Sequence, residues 1–190
     1  MPKTQAQYEA LRQKRRKEIQ EAALRLFANE GIHHTSMNAI ASEAKISKGL
    51  IYNYFKSKQD LIHAILMDGF ADFKQAFDRN KDGELTREEF EYFIRESFRI
   101  LQQKPEFYLF YFNLLMQPSI VELIQREYKE IAEPFWHILY NYFAQQASGN
   151  PHIHAQVFGA VMDGIALHYV MNPKEFQIEE TIQVILDKFS

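Results

Sequence analysis

Cysteine is absent from this chain of 190 residues. Its absence excludes disulfide bridges, thiolate zinc sites, cysteine nucleophiles and thiol redox switches together. The polar N-terminal segment, residues 1–20, has no apolar signal core, and the most apolar stretch, residues 108–116, is far too short to span a bilayer. The sequence therefore predicts a cytoplasmic protein with no membrane partner.

Glycine and proline are also scarce, at seven and six residues, and most of them stand where helices should stop. Strand-type alternation is missing, whereas apolar residues recur at helical spacing. With 46% apolar and 25% charged residues, the chain has the composition of a globular protein. We predict an all-α fold of about nine helices, at residues 7–30, 37–44, 48–54, 58–77, 87–103, 106–116, 119–146, 152–171 and 176–189.

The charge is divided unevenly along the chain. Residues 1–60 contain 11 Lys and Arg against 6 Asp and Glu, a net charge of +5, whereas residues 61–190 carry a net charge of -8. A basic front and an acidic body suggest that the front binds a polyanion, and the alternative is a chance fluctuation on solvated faces. We predict a DNA-binding domain over residues 1–57 and a second domain over residues 58–190.

Residues 37–54 have the layout of a helix-turn-helix. Ser36 can cap the first short helix, and Ile46 can fill the core beneath the turn. Ser47 can cap a second short helix, whose N-terminal residues would face the major groove of DNA. Lys48 and Gly49 begin that helix, so charge and a close backbone approach are available at its start.

The run from Ile19 to Leu61 resembles the DNA-binding region of TetR-family transcriptional regulators. The resemblance is carried by Ala22, Ala23, Leu26, Phe27, Gly31, Thr35, Ile40, Ala41, residues 44–49, residues 51–55 and residues 58–61. It implies that the chain is a TetR-like regulator with a three-helix head on a larger helical body, most often a repressor of palindromic operators. By matching positions, the DNA contacts would be Thr35, Ser36, Ser47, Lys48, Gly49, Tyr52, Asn53, Tyr54 and Lys58.

The same resemblance implies a homodimer, formed by the last two helices, that carries two reading heads. Gly159, Ala160, Gly164 and Ala166 supply small residues suited to close helix packing in this region. The resemblance also implies a small apolar or aromatic effector in the body and no organic cofactor. Aromatic and polar residues there suggest pocket residues Phe107, Tyr111, Asn113, Trp136, His137 and Tyr140.

Residues 78–89 have the pattern of an EF-hand-like calcium loop. Oxygen-bearing side chains stand at loop positions 1, 3, 5, 9 and 12, Gly83 stands at position 6, and position 7 supplies a backbone carbonyl. The predicted Ca²⁺ ligands are Asp78, Asn80, Asp82, Glu84, Thr86 and Glu89. The alternative needs no metal, because Thr86 and Glu89 form a capping box and the preceding residues suit an ordinary turn.

Three function classes follow from these motifs. The leading prediction is a dimeric transcriptional regulator whose DNA binding is released by an effector and modulated by calcium. The alternative is a calcium sensor or buffer in which loop 78–89 is the main site. A small helical enzyme is the third class, but the sequence has no phosphate-binding glycine loop, no Gly-x-Ser-x-Gly elbow and no His-Glu-x-x-His pair.

Overall fold

A computed structural model describes residues 4–146 and 149–190, with the backbone alone at residues 72, 118–128 and 130–132. Over this part of the chain it contains nine α-helices, one short 3-10 helix at Pro173–Glu175 and no β-strand. The all-α prediction is confirmed. The helices are α1 (Gln5–Glu30), α2 (Met37–Glu43), α3 (Lys48–Ile51), α4 (Lys58–Phe77), α5 (Arg87–Gln103), α6 (Pro105–Leu115), α7 (Pro118–Gln145), α8 (Pro151–Met171) and α9 (Ile178–Phe189).

The chain divides into two compact units between Gly69 and Phe70, within α4. Unit 1 runs up to Gly69, and unit 2 starts at Phe70. The functional boundary predicted after residue 57 stays a prediction. No helix that the structure describes is both long and apolar enough to cross a membrane.

Unit 1 is held together by apolar residues from α1 to α4 that lose all contact with solvent. Phe27, Ile40, Ile51, Phe55 and Leu61 are each fully buried. Burying side chains of this size stabilises the unit by roughly 1.5–3 kcal/mol each. The core therefore fixes α2 and α3 against α1, so the residues between them are displayed on a defined surface.

Unit 2 has an aromatic core. The Phe90 ring stacks on Tyr142 with centroids 4.6 Å apart, and it also contacts Phe158 at 5.3 Å. Phe77 and Phe135 approach to 4.2 Å. A cavity remains between these helices.

The predicted third helix was too long at its end. It was expected to reach residue 54, but α3 ends at Ile51. Beyond that point the Asn53 N–H donates to the Leu50 carbonyl and the Tyr54 N–H donates to the Ile51 carbonyl. These i to i+3 bonds form tight turns, so Tyr52, Asn53 and Tyr54 lie in a turn rather than on a helix.

Candidate nucleic-acid interface and effector cavity

The turn between α2 and α3 closes α2 without a glycine. The Ile46 N–H donates to the Ala41 carbonyl at 2.9 Å, and Lys45 adopts a left-handed backbone with φ of 55°. This is the bonding pattern of a Schellman C-cap, a position where glycine is usual. Lys45 is exposed, so the turn carries a cation in place of the glycine.

An exposed polar edge begins directly after this turn. Ser47, Lys48, Gly49, Tyr52 and Asn53 are all exposed. Ser47 stands at the N-cap of α3, but its side chain makes no capping hydrogen bond. The Ser47 hydroxyl therefore stands exposed at the start of α3 without a capping role.

Gly49 in this edge is not required by the fold. A Cβ placed on Gly49 would meet no atom within 4 Å, and its φ is not positive. A helical glycine costs about 0.5–1 kcal/mol relative to alanine. The position is thus open to a close approach from outside unit 1.

Two predicted DNA contacts, Thr35 and Lys58, have hydrogen-bond partners within the protein. Thr35 is fully buried, and its hydroxyl donates to the Gly31 carbonyl at 2.9 Å. The prediction that the Thr35 side chain contacts DNA does not fit this placement, because the side chain has no exposed surface. The Lys58 ammonium donates to the Ile32 carbonyl at 2.8 Å and to the Thr35 carbonyl at 3.0 Å. Lys58 thereby ties the start of α4 to the loop before α2.

Ser36 and Tyr54, two further predicted contacts, also form hydrogen bonds within unit 1. The Ser36 hydroxyl caps α2 by accepting a hydrogen bond from the Ala39 N–H at 3.1 Å. Tyr54 is half-buried, and its carbonyl accepts a bond of 3.0 Å from Arg16. The Arg16 guanidinium also lies 4.3 Å from the centre of the Phe55 ring. Arg16 therefore contributes to the packing of unit 1.

Loop 78–89 has the backbone of a tight polar turn followed by a capped helix. Lys81 and Gly83 adopt positive φ values of 60° and 76°. The Glu89 carboxylate accepts bonds from the backbone N–H and the hydroxyl of Thr86, both at 2.9 Å. The capping box of the alternative interpretation is thus present.

The acidic groups of this loop are not gathered around one point. Asp82 accepts a bond from the Glu84 N–H at 2.9 Å and from the Asn80 amide at 2.7 Å. Asp78 lines the cavity described below. Among the described residues, no group of three or more His, Cys, Asp or Glu side chains is placed to hold a metal ion.

A cavity of about 530 Å³ lies within unit 2. Of the predicted pocket residues, Phe107, Tyr111 and Trp136 line it. Tyr140 lines a second space of about 330 Å³, which also borders Trp136. Asn113 and His137 are exposed and line neither space.

The cavity wall contains polar groups that sequence reasoning missed. Burial raises the pKa of the Asp163 carboxyl. Burial also raises the pKa of the Tyr108 hydroxyl, and the charge of Asp163 adds to that shift. One signal in the sequence marks Asp163, because it is the only charged residue of α8.

Unit 1 has the geometry of a helix-turn-helix domain, a class of domain that binds DNA. Residues 19–65 match the sequence model described as bacterial regulatory proteins, tetR family. Residues 19–65 are therefore similar to the helix-turn-helix domain of the TetR family.

Relatives and solved structures extend the comparison. The chain is 38% identical over 71 residues to the HTH-type transcriptional regulator HbdR of Aromatoleum sp. (strain CIB), a match that covers 37% of this chain and 31% of HbdR. The chain thus spans about a third of the curated relatives it matches. The fatty acid degradation regulator FadR from Bacillus halodurans has the same fold, with a TM-score of 0.73 and 18% identity over 91% of this chain and 96% of FadR.

A second solved structure has the same fold. NalD of Pseudomonas aeruginosa, described as the secondary repressor of the MexAB-OprM multidrug efflux pump, matches with a TM-score of 0.73 and 19% identity. The match covers 93% of this chain and 95% of NalD. The TetR-like architecture therefore extends beyond the N-terminal domain.

Proposed function

We propose that this protein is a dimeric one-component transcriptional regulator, most simply a repressor, that binds a palindromic operator. The observation that carries the proposal is the exposed edge of α3, where Lys48 and Gly49 are followed by the exposed tips of Tyr52 and Asn53. Lysine supplies attraction to phosphates, whereas tyrosine and asparagine supply hydrogen bonds to phosphates or base edges. Lys45 and Lys56 are also exposed and add positive charge in the flanking turns.

A stripe of residues on α8 supports the dimer. Ile153, Val157, Leu167 and Met171 are exposed apolar residues, with exposed fractions between 36% and 74%. Together with Ala160 and Gly164 they follow spacings of four and three residues, which place them along one face of the helix. On α9, Val184 is exposed by 59%. We propose that this face packs against a second copy, so that two recognition helices sit about 34–36 Å apart on the operator.

Small residues on α8 divide between this face and the protein interior. A Cβ on Gly164 would meet nothing within 4 Å, which leaves room for a partner helix. A Cβ on Gly159 would lie 2.7 Å from the Trp136 ring, and Ala166 is buried. The four small residues predicted to favour close helix packing therefore do not all pack against the same surface.

The cavity of unit 2 supports an effector site. Its volume suits a small organic molecule, and eleven of the residues that line it are aromatic. We propose that effector binding there releases the operator.

Calcium remains a proposed modulator. The support is the spacing of loop 78–89 and the positive φ of Gly83 at the sixth position. Binding would require Glu89 to exchange its bonds to Thr86 for a metal ligand role.

A DNA selection tests the main proposal. A random pool of duplexes is enriched with the protein, and affinity for the selected duplex is measured against salt concentration. We expect Lys48→Ala to weaken binding and to lower the salt slope by about one, because one phosphate contact is lost. Lys188→Ala, at an exposed position on α9, removes the same charge and should leave the slope unchanged. A pool without enriched sequences would contradict a sequence-specific regulator.

A further inference from the structure

The cavity of unit 2 combines an aromatic wall with two acidic side chains. We infer that its ligand is a lipophilic organic cation, a molecule with apolar or aromatic groups around a positive centre. The inference rests on the proposed effector function of the cavity and names the chemical class of the effector.

Aromatic rings make the wall favourable to positive charge. Eleven Phe, Tyr and Trp side chains line the cavity, from α4, α5, α6, α7 and α8. Each ring presents negative electrostatic potential on its face and attracts a cation placed within about 6 Å of the ring centre. The same rings offer apolar contact to the rest of the ligand.

Acidic groups supply the charge that a cation would neutralise. Asp78 and Asp163 both line the cavity, and Lys74 is the only basic residue among the described residues that line it. The Asp78 Oδ1 atom is buried and has no hydrogen-bond partner in the described structure. Asp163 is more exposed to solvent and places a second carboxylate on the cavity wall. A buried carboxylate oxygen without a partner is costly, so a cationic ligand beside Asp78 would offset that cost.

An anionic ligand meets fewer partners in the same space. The Ser97 hydroxyl is already engaged, since it donates to the Phe93 carbonyl at 2.8 Å. Lys74 is exposed, and its long side chain can keep the ammonium in water. Two carboxylates would then repel a carboxylate or phosphate ligand.

Trp136 provides the readout, because it lines the cavity and is the only tryptophan in the chain. The full-length protein is titrated with tetraphenylphosphonium, with the similarly shaped anion tetraphenylborate, and with the neutral N-phenyl-1-naphthylamine, while tryptophan emission is followed. We expect the cation to bind at least about tenfold more tightly than the anion, since the carboxylates of the cavity attract a cation and repel an anion.

Asp163→Asn removes one charge and keeps the shape of the side chain. We expect the affinity for the cation to fall about tenfold, while the neutral probe binds as before and so reports an intact cavity. Asp187→Asn, at an exposed position on α9 outside the cavity, should change neither. Equal binding of cation and anion, or an unchanged cation affinity in Asp163→Asn, overturns the inference while binding of the neutral probe leaves the effector cavity standing. If none of the three probes alters the emission, the proposed effector site fails as well.

Discussion

At the scale of single residues, replacing Gly49 should change stability and the proposed DNA binding in opposite directions. Because a Cβ there meets nothing in unit 1, Gly49→Ala should stabilise the domain by about 0.5–1 kcal/mol through the higher helix propensity of alanine. The same methyl group would stand between α3 and a closely approaching DNA backbone, and affinity for the selected duplex should fall. Chemical denaturation and duplex titration measure the two effects. An alanine variant that binds as well as the parent would remove Gly49 from the interface.

Gly159 lines the cavity, and a side chain at this position would collide with Trp136. Its Cβ would lie 2.7 Å from the Trp136 ring, so Gly159→Ala should push that ring into the cavity, lower the affinity for N-phenyl-1-naphthylamine and shift the tryptophan emission. Gly164→Ala adds a methyl group to the same helix where no described atom lies within 4 Å, and its emission should stay as in the parent. If the two alanine variants share one emission spectrum, the ring does not rest on Gly159 in solution.

Ser36 and Thr35 are neighbours in the sequence, but only the local role of Ser36 could be predicted from it. Ser36 was predicted to cap α2 and does so, because capping depends on neighbours three residues away. Thr35 was expected on the DNA surface but is fully buried. Its placement depends on the Gly31 carbonyl and on the packing of α1, so the local pattern around Thr35 does not determine it.

At the scale of helices, the exposed stripe of α8 makes a specific prediction about assembly. Leu167→Glu places a charge on the apolar face and should shift the protein from dimer to monomer in sedimentation at micromolar concentration, because an unpaired charge at a packed interface is costly. Gln102→Glu adds the same charge at an exposed site on α5 and should keep the assembly state of the parent. A parent protein that sediments as a single chain would contradict the proposed dimer.

Loop 78–89 is tested by metal titration of chelator-stripped protein. If the loop binds calcium, calorimetry should show saturable heat that is lost in Glu89→Gln, because the bidentate ligand at the last position is removed. The glutamine retains one oxygen that can accept the bonds from Thr86, so helix α5 should remain capped. Absence of heat at millimolar calcium would leave the segment as a capped turn.

The helices themselves were largely predictable, and the physical reason is local. Their starts are marked by residues such as Ser36, Ser57 and Thr86, whose side chains accept bonds from the first turn. Helical periodicity then marks their length. The end of α3 was misjudged, since an i to i+3 turn and a short helix have similar sequences. The cavity was predicted only in part, because which rings face it depends on how five helices pack.

At the scale of the whole molecule, the proposed release of DNA by an effector implies reciprocity. If a ligand in the cavity weakens binding of the selected duplex, the duplex must weaken binding of that ligand by the same factor, typically about 5–150-fold. Titrating N-phenyl-1-naphthylamine with and without duplex, and the duplex with and without the probe, measures both sides. A duplex affinity that is unchanged when the cavity is saturated would show that this probe does not act as an effector.

Two sets of basic residues in the helix-turn-helix domain differ in their contacts. The side chains of Arg16 and Lys58 donate hydrogen bonds to backbone carbonyls of unit 1. Lys45, Lys48 and Lys56 are instead exposed to solvent. In evolution, Arg16 and Lys58 are constrained by folding and should resist replacement even by each other, since a planar guanidinium and a compact ammonium do not satisfy the same acceptors. The exposed lysines lie outside the core of unit 1, so they can be replaced without loss of its fold. The affinity of this domain for a proposed operator can therefore change while the fold stays the same.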